Sequence, residues 1–174
     1  MAKIKLRKAY PSDRADLQKI SREAYTQNFG DHWEENGLEM FLEGQFNDHR
    51  LERELRGIDQ EYYFIMMDDH DIGFVKINFK GRIEDLEEPQ TELEKIYILP
   101  RFKGVGIGSR ILKQIIDLCH LRGSERIWLN VIDTNTHAIG FYRKFGFQLH
   151  SMTRLDLPLF KDELRGMHLM VLDV

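Results

Sequence analysis

Polar and apolar positions alternate with a period of two at the start of the chain. Ile4 and Leu6 stand among Lys3, Lys5, Arg7 and Lys8, which predicts a first strand over residues 3–8. The period then lengthens. Leu17, Ile20, Ala24 and Phe29 recur at helical spacing behind Ser12-Asp13, a pair suited to capping a helix N-terminus. From Trp33 to Ile58 the helical pattern runs in two stretches, Leu38, Phe41 and Leu42 in one and Leu51, Leu55 and Ile58 in the other, parted around Asn47-Asp48. Two short helices are expected. Residues 62–67 and 72–79 are aromatic or β-branched runs, and Asp68-Asp69-His70-Asp71 between them is turn chemistry, so these form a hairpin.

In the second half, Glu92 to Leu99 reads as a strand that Pro100 ends, followed by the glycine-rich turn Lys103-Gly104-Val105-Gly106-Ile107-Gly108 and a helix. That helix carries Ile107, Ile111, Ile115 and Cys119 at i, i+4 spacing, widened by Leu112 and Leu118, with Gly123 placed to stop it. A strand over 126–132, a short helix from about Asn135, and strands over 147–153 and 167–172 complete the order. The 174 residues suit one domain spanning 1–174.

Charge is modest in sum, −4, and uneven along the chain. Asp31 to Glu61 holds ten acidic and three basic residues, Glu84 to Glu94 six acidic and no basic, while from Lys95 onward twelve basic residues face seven acidic ones. Two readings stay open: solvated faces, or a cationic ligand near the acidic runs and an anionic one in the second half. No basic patch interleaved with aromatics suggests nucleic acid, and no continuous apolar stretch suggests a membrane span or signal peptide. One cysteine, Cys119, cannot form an internal disulfide, so a cytoplasmic location is the default. The seven histidines lack metal-ligand spacing, and no metal is expected.

Gly104, Gly106 and Gly108 let a backbone approach a ligand closely, and the free amides of the following helix start, from Ile107 to Ser109, make an anion site that Lys103 and Arg101 help to neutralise. A pyrophosphate suits such a turn. A P-loop would open its helix with Gly-Lys-Ser/Thr, where Gly108-Ser109-Arg110 stands; a dinucleotide turn would follow the first strand rather than several.

Ile96-Tyr97-Ile98, the turn from Lys103 to Gly108, and the run Asn135-Thr136-His137-Ala138-Ile139-Gly140-Phe141-Tyr142 ending in Gly146-Phe147 together resemble the GNAT acetyltransferase superfamily. Its cofactor turn, Gln/Arg-x-x-Gly-x-Gly/Ala, is matched by Lys103, Gly106 and Gly108, with lysine as a departure that keeps the charge. A narrower similarity, through Phe46-Asn47, Leu51-Glu52, Glu54-Leu55, Tyr63-Phe64-Ile65 and Ile127-Trp128-Leu129, is to PaiA-like polyamine N-acetyltransferases.

The resemblance implies an α/β (α+β) fold: a mixed, mostly antiparallel sheet of about seven strands flanked by four to five helices, splayed after the strand holding Ile96 to Ile98 to admit acyl-CoA. It implies acetyl-CoA as co-substrate and transfer of its acetyl group to a primary amine, such as spermidine or spermine, in a ternary complex. Homodimers are frequent in the superfamily.

Glu94 or Glu92, two residues apart on one strand face, would take the amine proton through a water, and the resemblance points to Glu94 first. Backbone amides near Tyr97 and Ile98 would hold the thioester carbonyl, Asn135 the pantetheine arm, and Tyr142 would protonate the departing thiolate. Acetylation of another amine (a protein N-terminus, an amino acid, an aminoglycoside) and a non-catalytic acyl-CoA-binding module are the alternatives. CoA release that depends on an added amine separates an enzyme from a binding module.

Overall fold

The computed structural model describes residues 2–104 and 106–174, so Val105 of the glycine-rich turn lies outside the described residues. Seven strands form one sheet: β1 (Ile4–Lys8), β2 (Gln60–Met67), β3 (His70–Gly81), β4 (Gln90–Ile98), β5 (Arg126–Ile132), β6 (Gln148–Arg154) and β7 (Gly166–Asp173). Their order is β1-β2-β3-β4-β5-β7-β6. Every neighbouring pair is antiparallel except β4–β5. That parallel pair meets only at Thr91–Ile127 and Glu92–Trp128, so beyond Glu92 the two strands part.

Five α-helices cover the sheet: α1 (Arg14–Phe29), α2 (Gly37–Phe46), α3 (Asp48–Arg56), α4 (Ile107–Leu121) and α5 (Thr136–Lys144). The apolar stripe of α4, Ile107, Ile111, Leu112, Ile115 and Cys119, packs on one face with Val75, Ile77, Leu93 and Leu129. The other face takes α1 to α3 through Leu17, Ala24, Leu42, Phe46 and Leu51 against Phe64 and Phe74. Each such side chain removed from water contributes roughly 1.5–3 kcal/mol, which fixes the helices against the sheet and leaves the parted strands as a gap between two rigid walls.

The element order expected from periodicity is the one observed, including the division of the second helical stretch at Asn47. There Asn47 Oδ1 accepts from the Arg50 amide at 2.8 Å and caps α3. The expected cap of α1 takes a different form. A short 3-10 turn over Pro11–Asp13 precedes the helix, and the Asp13 carboxylate accepts from the Tyr10 amide at 2.9 Å and pairs with Arg7 at 3.1 Å instead of capping the helix amides. The arginine arriving from β1 competes for the carboxylate, which local sequence does not register.

Candidate active site

The register of β3 against β4 shifts in the middle of the pair. Lys76 lies opposite Lys95 and Ile77 opposite Leu93, so Glu94 is the extra residue of a β-bulge. The bulge turns Lys95 to the face that carries Glu92 and Glu94. Glu94 then pairs with Lys95 and, at 2.8 Å, with Lys76 Nζ. Lys76, 1% exposed, also reaches Glu54 Oε2 of α3 at 3.1 Å. Glu54 in turn accepts from the Tyr62 hydroxyl at 2.5 Å and the Arg50 guanidinium at 2.8 Å.

The two glutamates are thereby driven apart in acidity. Burial opposes ionisation of Glu94, but the two ammonium groups beside it outweigh burial and hold it at about 2. Glu92 forms no ion pair among the described residues; burial first, and the negative charge of Glu94 second, push it up to about 7.

The gap between β4 and β5 is a cleft of about 470 Å³. Glu92 marks its closed end, where the strands still pair, and Lys103 and Gly108 mark its mouth. Tyr25, Phe29 and Phe41 wall it from α1 and α2, and Tyr142 lines it from α5. Ile98 is buried and Ile96 packs against the same core, and the Tyr97 ring packs edge-on to Tyr25, Phe29 and Phe74, so these side chains are engaged in the core. Past Glu92 the β5-facing edge of the β4 main chain has no strand partner.

At the mouth, Gly104 and Gly106 have φ of 86° and 78°, in the left-handed region that glycine adopts without strain. Gly106 is the residue before α4, and the amides of Ile107, Gly108 and Ser109 are the first three of the helix, which have no intrahelical acceptor. This arrangement fits a phosphate group. Lys103 leans back: its ammonium donates to Asn28 Oδ1, and burial lowers its pKa. Asn28 also donates to Ile98 O at 3.0 Å, tying α1 to the end of β4. Sequence periodicity gave no sign of this role of Asn28, because Ile98 and Lys103 lie 70 and 75 residues away.

On α5, Asn135 Oδ1 accepts from the Ala138 amide at 3.1 Å, which is an N-cap and leaves the side-chain NH2 for the cleft. Tyr142 packs edge-on to Phe141 and Phe147. Burial pushes its phenol up to about 12, and its hydroxyl bonds to no described residue. The structure thus brings Glu92, Glu94, Ile96, Tyr97, Ile98, Lys103, Gly108, Asn135 and Tyr142 to one cleft.

The acidic segments resolve differently. In the first, Glu39 and Glu43 pair with Arg22, Asp48 and Glu52 with Arg14, and Glu61 with Lys8 and Arg122. These carboxylates serve ion pairs between elements, Glu39, Glu43, Asp48 and Glu52 on the exposed surface and Glu61 buried, and Glu92 and Glu94 are the acids that line the cleft. Among the described residues no group of three or more His, Cys, Asp or Glu is placed to hold a metal, and no helix is long and apolar enough to cross a membrane.

A mostly antiparallel sheet opened at its one parallel pair, with a helix start that fits a phosphate at the mouth and a carboxylate at the apex, has the arrangement of an acetyltransferase. Residues 15–147 match the acetyltransferase (GNAT) family, and the chain belongs to it.

Among its relatives, an uncharacterised N-acetyltransferase of Lactobacillus delbrueckii subsp. lactis is 26% identical over 84% of this chain and 85% of its own length. The spermine/spermidine N(1)-acetyltransferase of Bacillus subtilis is 37% identical over 68 residues, which cover 38% of this chain and 45% of that protein. Among solved structures, the PaiA N-acetyltransferase of Thermoplasma acidophilum in complex with coenzyme A aligns with a TM-score of 0.75, covering 99% of both chains at 20% identity. That likeness is one of fold.

Proposed function

We propose that this protein transfers the acetyl group of acetyl-CoA to a primary amine of a polyamine such as spermidine or spermine, by direct attack within a ternary complex. The observation that carries the reading is Glu92: a half-buried carboxylate with no ion-pair partner among the described residues, at the end of a cleft whose mouth fits a phosphate. An alkylamine with a pKa of about 10.4 enters protonated, and a carboxylate that titrates near neutrality takes that proton well. Glu94, held ionised by two lysines, keeps the local field and is the weaker base. Beyond Glu92 the wall of Tyr25, Phe29 and Phe41 offers aromatic surface to the aliphatic spacers and further ammonium groups of a polyamine. The Bacillus subtilis relative, named for spermine and spermidine, supports the same substrate class. The one cysteine, Cys119, is a buried free thiol, in keeping with a cytoplasmic enzyme.

In this reading the amides of Ile107, Gly108 and Ser109, with the Gly104 to Gly106 turn, bind the pyrophosphate of the donor. Lys103 exchanges Asn28 for a phosphate oxygen. The unpaired main-chain edge at Ile96 to Ile98 holds the pantetheine arm and donates to the thioester carbonyl, where negative charge develops. The Asn135 side-chain NH2 donates to the same arm. Acetyl-CoA supplies the activated acyl group and a thiolate leaving group. Tyr142 donates its phenolic proton to that thiolate, and burial keeps the phenol protonated across the working pH range.

A thiol-release assay with acetyl-CoA against spermidine, spermine, putrescine, free amino acids, an aminoglycoside and a peptide N-terminus tests the acceptor. Spermidine and spermine are expected to give the highest kcat/KM; silence with all three polyamines overturns the substrate class. Tyr142→Phe is expected to lower kcat about tenfold with little change in CoA affinity. The effect is modest because a thiol of pKa about 8.5 leaves with little help. An unchanged kcat removes the acid role.

A further inference from the structure

Trp128 is a large side chain that lies behind the closed end of the cleft, beside its lining residue Glu92, and has no task in the transfer reaction. It stands on β5 directly across from Glu92, at one of the two pairs where the parallel strands touch. Its indole is 6% exposed and packs with Ile83, Leu86, Leu169 and Val171. Gly81 of β3 brings the two side chains together. A Cβ at Gly81 would stand 2.8 Å from Glu92 Cβ and 3.0 Å from Trp128 Nε1, so those two atoms lie within about 6 Å of each other. That is within the span of a glutamate side chain. The indole N–H is buried and meets no acceptor among the described residues, and a buried donor is rarely left so.

The surroundings of Glu92 hold charged groups that are already engaged. Glu94 repels it from the same strand, while Lys95 and Lys76 attract it but are bound to Glu94. Asn78 faces it from β3 and gives it a neutral partner. Asp85, in the segment that carries Ile83 and Leu86 over the indole, is turned to His150 at 3.0 Å. The indole N–H is the donor in this wall with no other engagement.

We propose that Trp128 is a positioning residue for Glu92: when the Glu92 side chain turns toward β5, the unpartnered indole N–H donates to its carboxylate and fixes the orientation in which that carboxylate meets the amine. The proposal rests on Glu92 acting as the base. A hydrogen bond to the ionised form favours ionisation, so Trp128 lowers the pH at which the base becomes available. Gly81 belongs to the same device, since any side chain there would wedge the pair apart.

Trp128→Phe keeps an aromatic ring in the apolar pocket and removes the donor. The inflection of kcat/KM against pH is expected to move up by about 0.5 to 1 unit; activity at pH 6.5 then falls about three- to tenfold, while activity at pH 9 stays within about twofold. A loss that is the same at every pH overturns the positioning role.

A second measurement is independent of turnover. The chain has two tryptophans, so in a Trp33→Phe background Trp128 is the sole emitter. Its fluorescence is expected to titrate near pH 7 and to lose that step when Glu92→Gln is added. Should Trp33→Phe not fold, the difference in emission between wild type and Trp128→Phe reports the same step. Absence of the step overturns the contact. Full activity in Glu92→Gln overturns the base reading, and the positioning role with it, even where the emission step is present, so the two failures are told apart.

Discussion

Glu92→Gln is expected to lower kcat/KM about 10²- to 10³-fold, within the span of about 10² to 10⁴ that a positioned general base contributes. The wild-type profile should rise with pH to a plateau, with an inflection near 7, because the carboxylate must be ionised to take the amine proton. In the variant that inflection should vanish. The same substitution is expected to act on stability with the opposite sign.

Glu92 binds its proton more tightly in the folded protein, at about 7, than at its ordinary value of 4.5. Stability therefore falls as pH rises from 4.5 to 7, and above 7 the full penalty is present. Glutamine carries no such penalty. Glu92→Gln should be more stable than wild type at pH 8, by up to about 2 kcal/mol, and no more stable at pH 4. Thermal melts at the two pH values, beside rate profiles, check both halves. A variant that is inactive and less stable at pH 8 would show that Glu92 supports the fold rather than the chemistry.

Lys76→Met is expected to cost about 3 kcal/mol of folding stability, as breaking a buried ion pair from one side does. For a chain of this size that is a fall in Tm of about 6–12 °C. Lys76 joins α3 to the bulge of β4, and its removal leaves Glu94 with Lys95 alone and Glu54 with Arg50 and Tyr62.

The pH dependence follows from Glu94. Its pKa is depressed to about 2, so its contribution is present above its ordinary 4.5 and is lost as pH falls through 2. Wild type and variant should therefore converge toward pH 2 and differ most above pH 5. Urea unfolding across that range measures it. A difference under about 0.5 kcal/mol at pH 7, the scale of an exposed pair, would mean that the cluster is solvated and Glu94 is free to act as a base.

Much of the architecture was legible along the chain because the signals are local. Alternation marks β1, a stripe at i, i+4 marks α4, and the glycines at 104 and 106 mark a turn that needs left-handed backbone ahead of a helix start. The resemblance carried by the run from Asn135 to Phe147 supplied the mostly antiparallel sheet and the place where it splays, which periodicity does not contain. Three features lay beyond both. The Asp13 carboxylate turns to Tyr10 and Arg7, Asn28 bridges α1 to the end of β4, and Glu39, Glu43, Asp48, Glu52, Glu54 and Glu61 pair with arginines and two lysines from other elements.

The choice between the two glutamates shows the boundary most clearly. By itself the sequence determined that Glu92 and Glu94 share a strand face, since side chains two apart on a strand point the same way. Only the tertiary structure decided which of them can hold a proton near neutrality. Acidity depends on burial and on the charges within a few ångströms, and those charges reach Glu94 from Lys76 on β3 and from Lys95 through a bulge, while Glu92 is left beside Trp128 of β5.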